Sequence, residues 1–235
     1  MFSFKQFDID DSRCAMKVGT DGVLLGAWTE CENAVSVIDA GCGSGLLSLM
    51  VAQRNPSANI IGIDVDENAC CDARCNAGRT KWSGRIEIVN NDVLQTGRPG
   101  LRSPLLIISN PPFFNETLHS PDADRSLARH GRGFDVDTLI SWAGKLIETP
   151  EDSLSFIAPA QRSAEIEFLL ALQRLDVRRR SMVYSRQGRP AVRVLFQAGR
   201  GATHSIDDNP VIIRDLNNSY TSQYRNLTSD FYLHL

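Results

Sequence analysis

The sequence predicts an α/β protein whose doubly wound, mostly parallel, Rossmann-like sheet has seven strands and ends in an antiparallel hairpin. Short apolar runs rich in β-branched residues alternate with segments of helical spacing, which indicates parallel strands joined by helices. A glycine-rich turn follows the first of these runs, and two adjacent β-rich runs end the series. Right-handed crossovers between parallel strands would then place helices on both faces of the sheet.

Five apolar runs predict the parallel strands, at residues 35–40, 58–64, 85–90, 105–109 and 154–158. Helical spacing predicts the connecting helices, at residues 46–53, 67–77, 135–148 and 162–175. The fourth run, LLIIS, is apolar throughout, which is typical of a strand covered on both faces. Two β-rich runs joined by a turn-rich segment predict the hairpin, at residues 177–184 and 191–198, and a short strand is expected at residues 211–214.

The length of 235 residues, 42% of them hydrophobic, predicts one domain with a single main core. We expect residues 1–30 to form an amino-terminal cofactor lid segment, residues 31–200 the Rossmann-like core, and residues 201–235 a carboxy-terminal extension. Aromatic residues of that extension, among them Tyr224 and Phe231, predict that it docks on the core.

The formal net charge of −3 argues against a protein that holds nucleic acid by bulk attraction, although arginines concentrate in residues 125–132 and 178–193. No run approaches the roughly 20 apolar residues of a membrane helix, and the start resembles no signal peptide, so we expect a cytoplasmic protein. The six cysteines lack paired spacing and are expected to be reduced thiols. No metal site is expected at Cys71 and Cys75, and we expect a monomer or weak homo-oligomer without a stable protein partner.

A glycine turn follows the first strand at the place where α/β sheets form their ligand crevice. Its residues are Gly41, Gly43 and Gly45. The G-x-G-x-G spacing behind an acid differs from the G-x-G-x-x-G fingerprint of dinucleotide binders and favours S-adenosylmethionine. Three acids that end successive strands would bind the cofactor's ammonium, ribose and adenine groups, respectively Asp39, Asp64 and Asp92. Each acid alone is as typical of an ordinary strand end or helix cap as it is of cofactor binding.

A motif of carbonyl acceptors and an aromatic ring follows the fourth strand directly. It consists of Asn110, Pro111, Pro112 and Phe113. The exocyclic amine of adenine is a poor nucleophile because its lone pair is delocalised into the ring, and acceptors on both N–H bonds favour the pyramidal amine. The Asn110 side chain and the Pro111 carbonyl supply such acceptors next to the cofactor, and Phe113 supplies a face for stacking. Asn-Pro also opens ordinary turns, but this position after the fourth strand favours catalysis.

These motifs resemble those of class I S-adenosylmethionine-dependent methyltransferases with an Asn-Pro-Pro-(Tyr/Phe) motif. The chain resembles more closely the bacterial tRNA1(Val) (adenine(37)-N6)-methyltransferase family, through residues 4–7, 13–22, 110–114, 128–130 and 228–233. The resemblance implies the class I methyltransferase fold and a tRNA substrate, whose adenosine adjacent to the anticodon must leave the loop stack.

The resemblance and the local cations together predict where the RNA lies. Arg129 and His130, with the arginines near the hairpin, are expected to contact phosphates, and Phe114 is expected at the same interface. Lys17, Thr20 and Asp21 leave two interpretations open: they precede an apolar helix that covers the sheet behind a cap, or they form a lid over the methionine end of the cofactor.

Other functions share parts of this pattern. Glutamine-amide methyltransferases that act on release factors carry the same motif, but they usually have a helical domain for which the residues before Gly41 leave no room. An amino-methyltransferase acting on ribosomal RNA or DNA remains an alternative. The glycine spacing weighs against a NAD-dependent oxidoreductase, and a non-catalytic S-adenosylmethionine-binding module would be expected to lose the Asn-Pro-Pro segment.

Overall fold

The structure, a computed structural model, describes residues 1–98, 100–113, 133–201, 206–207 and 209–234. These residues form a nine-stranded sheet, a two-stranded ribbon and six α-helices. The ribbon consists of β1 (Phe2–Ser3) and β2 (Asp8–Ile9). The sheet consists of β3 (Ser36–Ala40), β4 (Asn59–Asp64), β5 (Ile86–Asn90), β6 (Leu105–Ser109), β7 (Ser153–Pro159), β8 (Asp176–Arg186), β9 (Ala191–Gly199), β10 (Ile206–Asp207) and β11 (Val211–Arg214). The helices are α1 (Thr20–Trp28), α2 (Leu46–Arg54), α3 (Glu67–Gly78), α4 (Val136–Leu146), α5 (Ser163–Leu172) and α6 (Ser222–Thr228).

The main sheet is doubly wound, as the sequence predicts. Its order is β10-β8-β9-β7-β6-β3-β4-β5, with β11 also paired to β8. Strands β3 to β7 are parallel, and β9 is inserted antiparallel between β7 and β8. The two short strands β10 and β11 extend the predicted seven strands at the β8 edge. The chain order reverses between β3 and β6, which is where sheets of this kind form their ligand crevice.

Most strands begin and end within one residue of the positions that the sequence predicts. Local signals explain where two of the helices begin or end. Helix α4 begins at Val136 because Asp135 and Thr138 form a capping box, in which each side chain accepts from the other residue's backbone N–H. Helix α5 ends at Leu172, earlier than predicted, because Arg174 adopts a left-handed φ of 59° that a helix cannot continue through.

Helix α1 lacks the side-chain cap that one of the two interpretations of residues 17–21 requires. The helix begins at Thr20, its N-cap residue is Gly19, and no side chain bonds to its first N–H groups. Burial stabilises it instead, since every residue from 22 to 28 is buried. A Cβ at Gly26 would lie 2.6 Å from the Met50 sulfur, so α1 and α2 meet at a contact that only glycine allows.

The two ends of the described chain pack against each other. Phe4 forms an antiparallel bridge with Tyr232, and the Lys5 N–H donates to the Phe231 carbonyl at 2.8 Å. Tyr224 and Phe231 are buried in the core cluster that also contains α1 and α2. On this side of the core, both ends of the described chain therefore pack with α1 and with α2, the helix that follows the glycine turn.

Candidate active site

The carboxyl ends of β3, β4, β5 and β6 meet at one edge of the sheet. In the β3–β6 pair Asp39 lies opposite Ile108, so the turn that begins at Gly41 and the motif that begins at Asn110 leave the sheet side by side. Ser109 connects them, since its hydroxyl donates to the Ala40 carbonyl at 2.6 Å and the side chain is fully buried. The structure therefore brings the two predicted halves of the site together.

The glycine turn requires left-handed backbone at all three predicted positions. The φ angles of Gly41, Gly43 and Gly45 are 72°, 53° and 82°, values that residues with a Cβ adopt at a cost. A Cβ at Gly45 would lie 3.3 Å from that of Ala73, whereas one at Gly43 would meet no atom of the described residues within 4 Å. The turn therefore packs closely on α3 at one end and faces open space at Gly43.

Only one of the two carboxylate oxygens of Asp39 is hydrogen-bonded among the described residues. It is fully buried, and Oδ2 accepts from the Ser48 N–H at 2.9 Å and from the Ser48 hydroxyl at 2.7 Å. Oδ1 is buried and has no hydrogen-bond partner among the described residues. Burial raises the pKa of Asp39 to about 7, against the lowering effect of the bonds from Ser48.

The other two acids also hold the backbone at the crevice. Asp64 accepts from the Gly43 N–H at 2.8 Å and from the Asp66 N–H at 3.0 Å. Asp92 begins a short 3₁₀ turn by accepting from the Leu94 N–H at 2.9 Å. An ionised carboxylate offers about four lone-pair sites, so each of the two side chains retains acceptor capacity for a ligand.

The catalytic motif presents a buried acceptor without a partner. Asn110 Oδ1 is buried and has no hydrogen-bond partner in the described part of the chain. The residue lies beside the first turn of α1, since a Cβ at Gly22 would be 4.0 Å from Asn110 Nδ2. Pro111 is buried, and Phe113 is partly buried against both core clusters. An unsatisfied buried carbonyl costs free energy, which a ligand N–H donor would recover.

Of the three residues predicted at the lid, Asp21 is joined to the catalytic motif. Its carboxylate accepts from Arg193 Nε at 2.8 Å, and the same guanidinium lies 4.9 Å from the Phe113 ring centroid. Lys17 instead donates to the carbonyls of Asp11 and Ser12, and Thr20 is exposed at the start of α1.

The arginines of the hairpin mostly bind groups of the protein itself, which the sequence did not predict. Their partners are the Pro150 carbonyl for Arg178, Glu30 and the Trp28 ring for Arg179, Glu167 for Arg180, the Asp215 carbonyl for Arg186, and Asp21 for Arg193. The arginines that are close together in the sequence are therefore spread over the structure, where carboxylates, carbonyls and a ring of the protein contact them. The predicted RNA contacts Phe114, Arg129 and His130 lie outside the described residues.

The cysteine nearest the crevice is not suited to nucleophilic chemistry. Burial raises the pKa of the Cys42 thiol well above its ordinary value, and the nearby Asp39 and Asp64 carboxylates raise it further. Across the described ranges, no group of three or more His, Cys, Asp or Glu side chains is placed to hold a metal ion. In the same ranges, no helix has the length and apolar character needed to cross a membrane.

The sequence does not indicate the contacts that three residues of the site make. Ser109 ends an otherwise apolar run, and that single hydroxyl was the available signal. No signal in the sequence marks Phe134, although its ring would be 3.1 Å from a Cβ at Gly41. In the sequence, Arg193 stands out only as one of several arginines in residues 178–193.

Comparison with known proteins agrees with this geometry. A family model described as methyltransferase small domain matches residues 15–134. The tRNA1(Val) (adenine(37)-N6)-methyltransferase of Porphyromonas gingivalis is 40% identical over 243 residues, covering 99% of this chain and 94% of that protein. The protein of the same name from Aeromonas hydrophila is 39% identical over 99% of this chain and 97% of its own length. A solved structure described as a predicted O-methyltransferase, from Agrobacterium tumefaciens, shares the fold with a TM-score of 0.69 at 21% identity, over 90% of this chain and 96% of that one.

Proposed function

Since the chain belongs to the tRNA1(Val) (adenine(37)-N6)-methyltransferase family, we propose that it methylates N6 of adenosine 37 in a valine tRNA in the cytoplasm. The family is one of methyltransferases, and its methyl donor is S-adenosyl-L-methionine. The observation that carries the proposal is the buried Oδ1 of Asn110, which has no hydrogen-bond partner among the described residues, in a motif that leaves the sheet beside the glycine turn. An acceptor in this position needs an N–H donor, and the target amine has two.

The residues of the turn fit the methyl donor. Asp39 Oδ1 is a buried acceptor that a cationic ammonium would satisfy, directly or through water. Gly43 faces open space that a Cβ would enter. Asp64 and Asp92 end the next two strands, where they would bind the ribose and adenine groups. When bound, S-adenosylmethionine supplies the methyl group from its sulfonium.

The catalytic motif would orient the target amine. Asn110 Oδ1 and the Pro111 carbonyl would accept its two N–H bonds, which favours the pyramidal amine and places the lone pair toward the incoming methyl group. These dipoles also stabilise the positive charge that develops on the nitrogen. The backbone is fixed because residues before proline are held extended, and the Ser109 hydroxyl binds the neighbouring strand. Phe113 would stack on the flipped base.

We assign the lid over the cofactor to residues 15–21, the segment that ends in the first turn of α1. Residues 22–28 are buried in the core and cannot open without exposing it. Met16 and Lys17 precede that helix and Thr20 is its first residue; all three are exposed, Met16 to 55%.

The substrate is tested with purified protein and labelled S-adenosylmethionine. The substrates are unmodified valine tRNA, the same tRNA with adenosine 37 replaced by guanosine, and a release factor. We expect methyl transfer only to the first, with N6-methyladenosine found after digestion to nucleosides. Transfer to the release factor, or equal transfer to both tRNAs, would contradict the proposed substrate.

The catalytic role is tested by Asn110→Ala. We expect turnover at saturating tRNA to fall by about 100-fold or more, as for the loss of a preorganised acceptor or donor elsewhere. The affinity for S-adenosylhomocysteine, measured by calorimetry, should change little. Asn33→Ala, at an exposed asparagine beyond the opposite end of the sheet, is the matched control. Near wild-type turnover of Asn110→Ala would refute the assignment.

A further inference from the structure

Arg193 connects three segments of the active site. It lies on β9 opposite Pro159, at the carboxyl end of β7, which brings it to the same edge of the sheet as Asn110. Its Nε donates to Asp21 Oδ2 at 2.8 Å, and its guanidinium carbon lies 4.9 Å from the Phe113 ring centroid. Both carboxylate and guanidinium side chains are about two-thirds buried, with exposures of 29% and 31%.

The two contacts reach the two parts of the site that the proposed function places around the target base. The Asp21 contact holds the first turn of α1, and the next residue of that turn, Gly22, adjoins the Asn110 amide. The Phe113 contact places a flat cation on one face of the ring. A base that stacks on Phe113 must then use the opposite face. A planar, permanently charged group is suited to make both contacts at once.

We propose that Arg193 is a positioning residue for methyl transfer, which fixes the Phe113 ring and the start of α1 around the target adenine. This inference rests on the proposed function and replaces the expectation that Arg193 contacts a phosphate. The ion pair with Asp21 already neutralises its charge, which leaves little attraction for the RNA backbone. Arg193 acts through Phe113 and Asp21, whereas Asn110 is the residue that contacts the reacting amine.

Two substitutions separate positioning from phosphate binding. Arg193→Lys keeps the charge but loses the planar donor geometry, and Arg193→Met keeps only the apolar stem. We expect both to lower kcat on valine tRNA by about 10-fold, because each loses the stacked contact and the charge-assisted bond together. The KM for tRNA and its salt dependence should remain those of the wild type. Lys145→Met, which removes an exposed cation at the far end of α4, is the charge-matched control.

A phosphate contact would give the opposite pattern. Arg193→Lys would then retain kcat, while Arg193→Met would raise the KM and reduce the salt slope by about one unit. That result would overturn the proposal. A double-mutant cycle adds a readout that a general loss of stability would not change. In a Phe113→Leu background, Arg193→Met should lower kcat by less than about 3-fold, because the contact with the Phe113 ring is already absent and only the bond to Asp21 is lost. An undiminished effect there would also refute it.

A measurement without RNA distinguishes failure of this inference from failure of the proposed function. We expect Arg193→Met to shift the aromatic NMR resonances of Phe113 in the protein alone, while Lys145→Met leaves them in place. Unchanged Phe113 resonances would refute the positioning role, whatever the substrate. Absence of wild-type transfer to tRNA, with shifted resonances, would refute the proposed function and leave the contact established.

Discussion

Asp39 is the residue at which stability and ligand binding are in opposition. Its Oδ2 holds the start of α2 through Ser48, while its Oδ1 stays buried without a partner among the described residues. Desolvation favours the neutral acid, whereas a cationic ligand requires the carboxylate. A pKa of about 7 places the two forms in balance near neutral pH.

We therefore predict that cofactor affinity depends on the ionisation of Asp39. Affinity for S-adenosylhomocysteine should rise between about pH 6 and pH 7.5, as the Asp39 carboxylate ionises while the ligand's amino group, the amine of a free amino acid, stays protonated. Calorimetry across this range measures the effect. Asp39→Asn should bind more weakly at pH 7.5 and lose the rise, whereas Asp92→Asn should weaken binding and keep it. A rise that persists in Asp39→Asn would contradict the assignment.

At the scale of the elements, two glycines in turns allow the effect of backbone strain to be measured apart from the effect of ligand contact. Gly43 and Gly188 both have positive φ, 53° and 76°, and a Cβ at either would meet nothing within 4 Å. Gly188 lies in the turn between β8 and β9, whereas Gly43 faces the crevice. Alanine at either position should therefore lower the free energy of unfolding by a similar amount, about 1 to 2 kcal/mol.

Only Gly43→Ala should also weaken cofactor binding, because its methyl group enters the space that the ligand needs. Urea denaturation and calorimetry of both variants measure the two effects. If Gly188→Ala lost cofactor affinity to the same extent, the turn at Gly43 would not be the cofactor site.

The elements that sequence predicts well are those with local signals. The run of β6 is apolar up to its last residue, and the capping residues of α4 lie within four positions of each other. Strands β1 and β2 are two residues each, and they are held by pairing and by contacts with the other end of the chain. Lys5, for example, donates to the Ser229 carbonyl at 2.6 Å across 224 positions. No periodicity in the sequence records such a contact.

The residues of the site also divide into those with a local signal in the sequence and those whose contacts are long-range. The acids and the glycines stand in fixed positions after strands, so the sequence locates them. Their individual bonds depend on distant partners. Asp21 and Arg193 are 172 positions apart, and without that pairing Arg193 counts only as one more cation.

At the scale of the molecule, a second carboxylate holds the sheet at the end opposite the active site. Asp152 is fully buried and forms an ion pair with Arg98 at 2.9 Å. It also accepts from the N–H groups of Leu105, Glu148 and Thr149 at 2.9, 3.0 and 3.0 Å, which joins the start of β6 to the segment after α4. Burial disfavours the charged form, but these N–H donors outweigh it and hold the pKa of Asp152 well below its ordinary range.

Asp39 and Asp152 consequently act on stability in opposite pH windows. The unfolded chain titrates both near pH 3.9. The stabilisation from Asp152 is present above that value and is lost as pH falls toward its depressed folded pKa. Asp39 has a raised folded pKa, so its contribution is present below about pH 4 and is lost as pH rises toward 7.

We predict that Asp152→Asn lowers the free energy of unfolding at pH 7 by about 3 kcal/mol, because it removes the buried charge of the pair and leaves Arg98 with only the exposed Glu148. Glu148→Gln, which removes the exposed partner of the same arginine, should cost less than about 1 kcal/mol. Asp39→Asn should instead flatten the decline in stability between pH 4 and pH 7. Urea denaturation of the three variants across pH 3 to 8 tests these signs together. An Asp152→Asn protein as stable as the wild type at pH 7, or an Asp39→Asn protein with an unchanged profile, would show that the corresponding carboxylate does not govern that window.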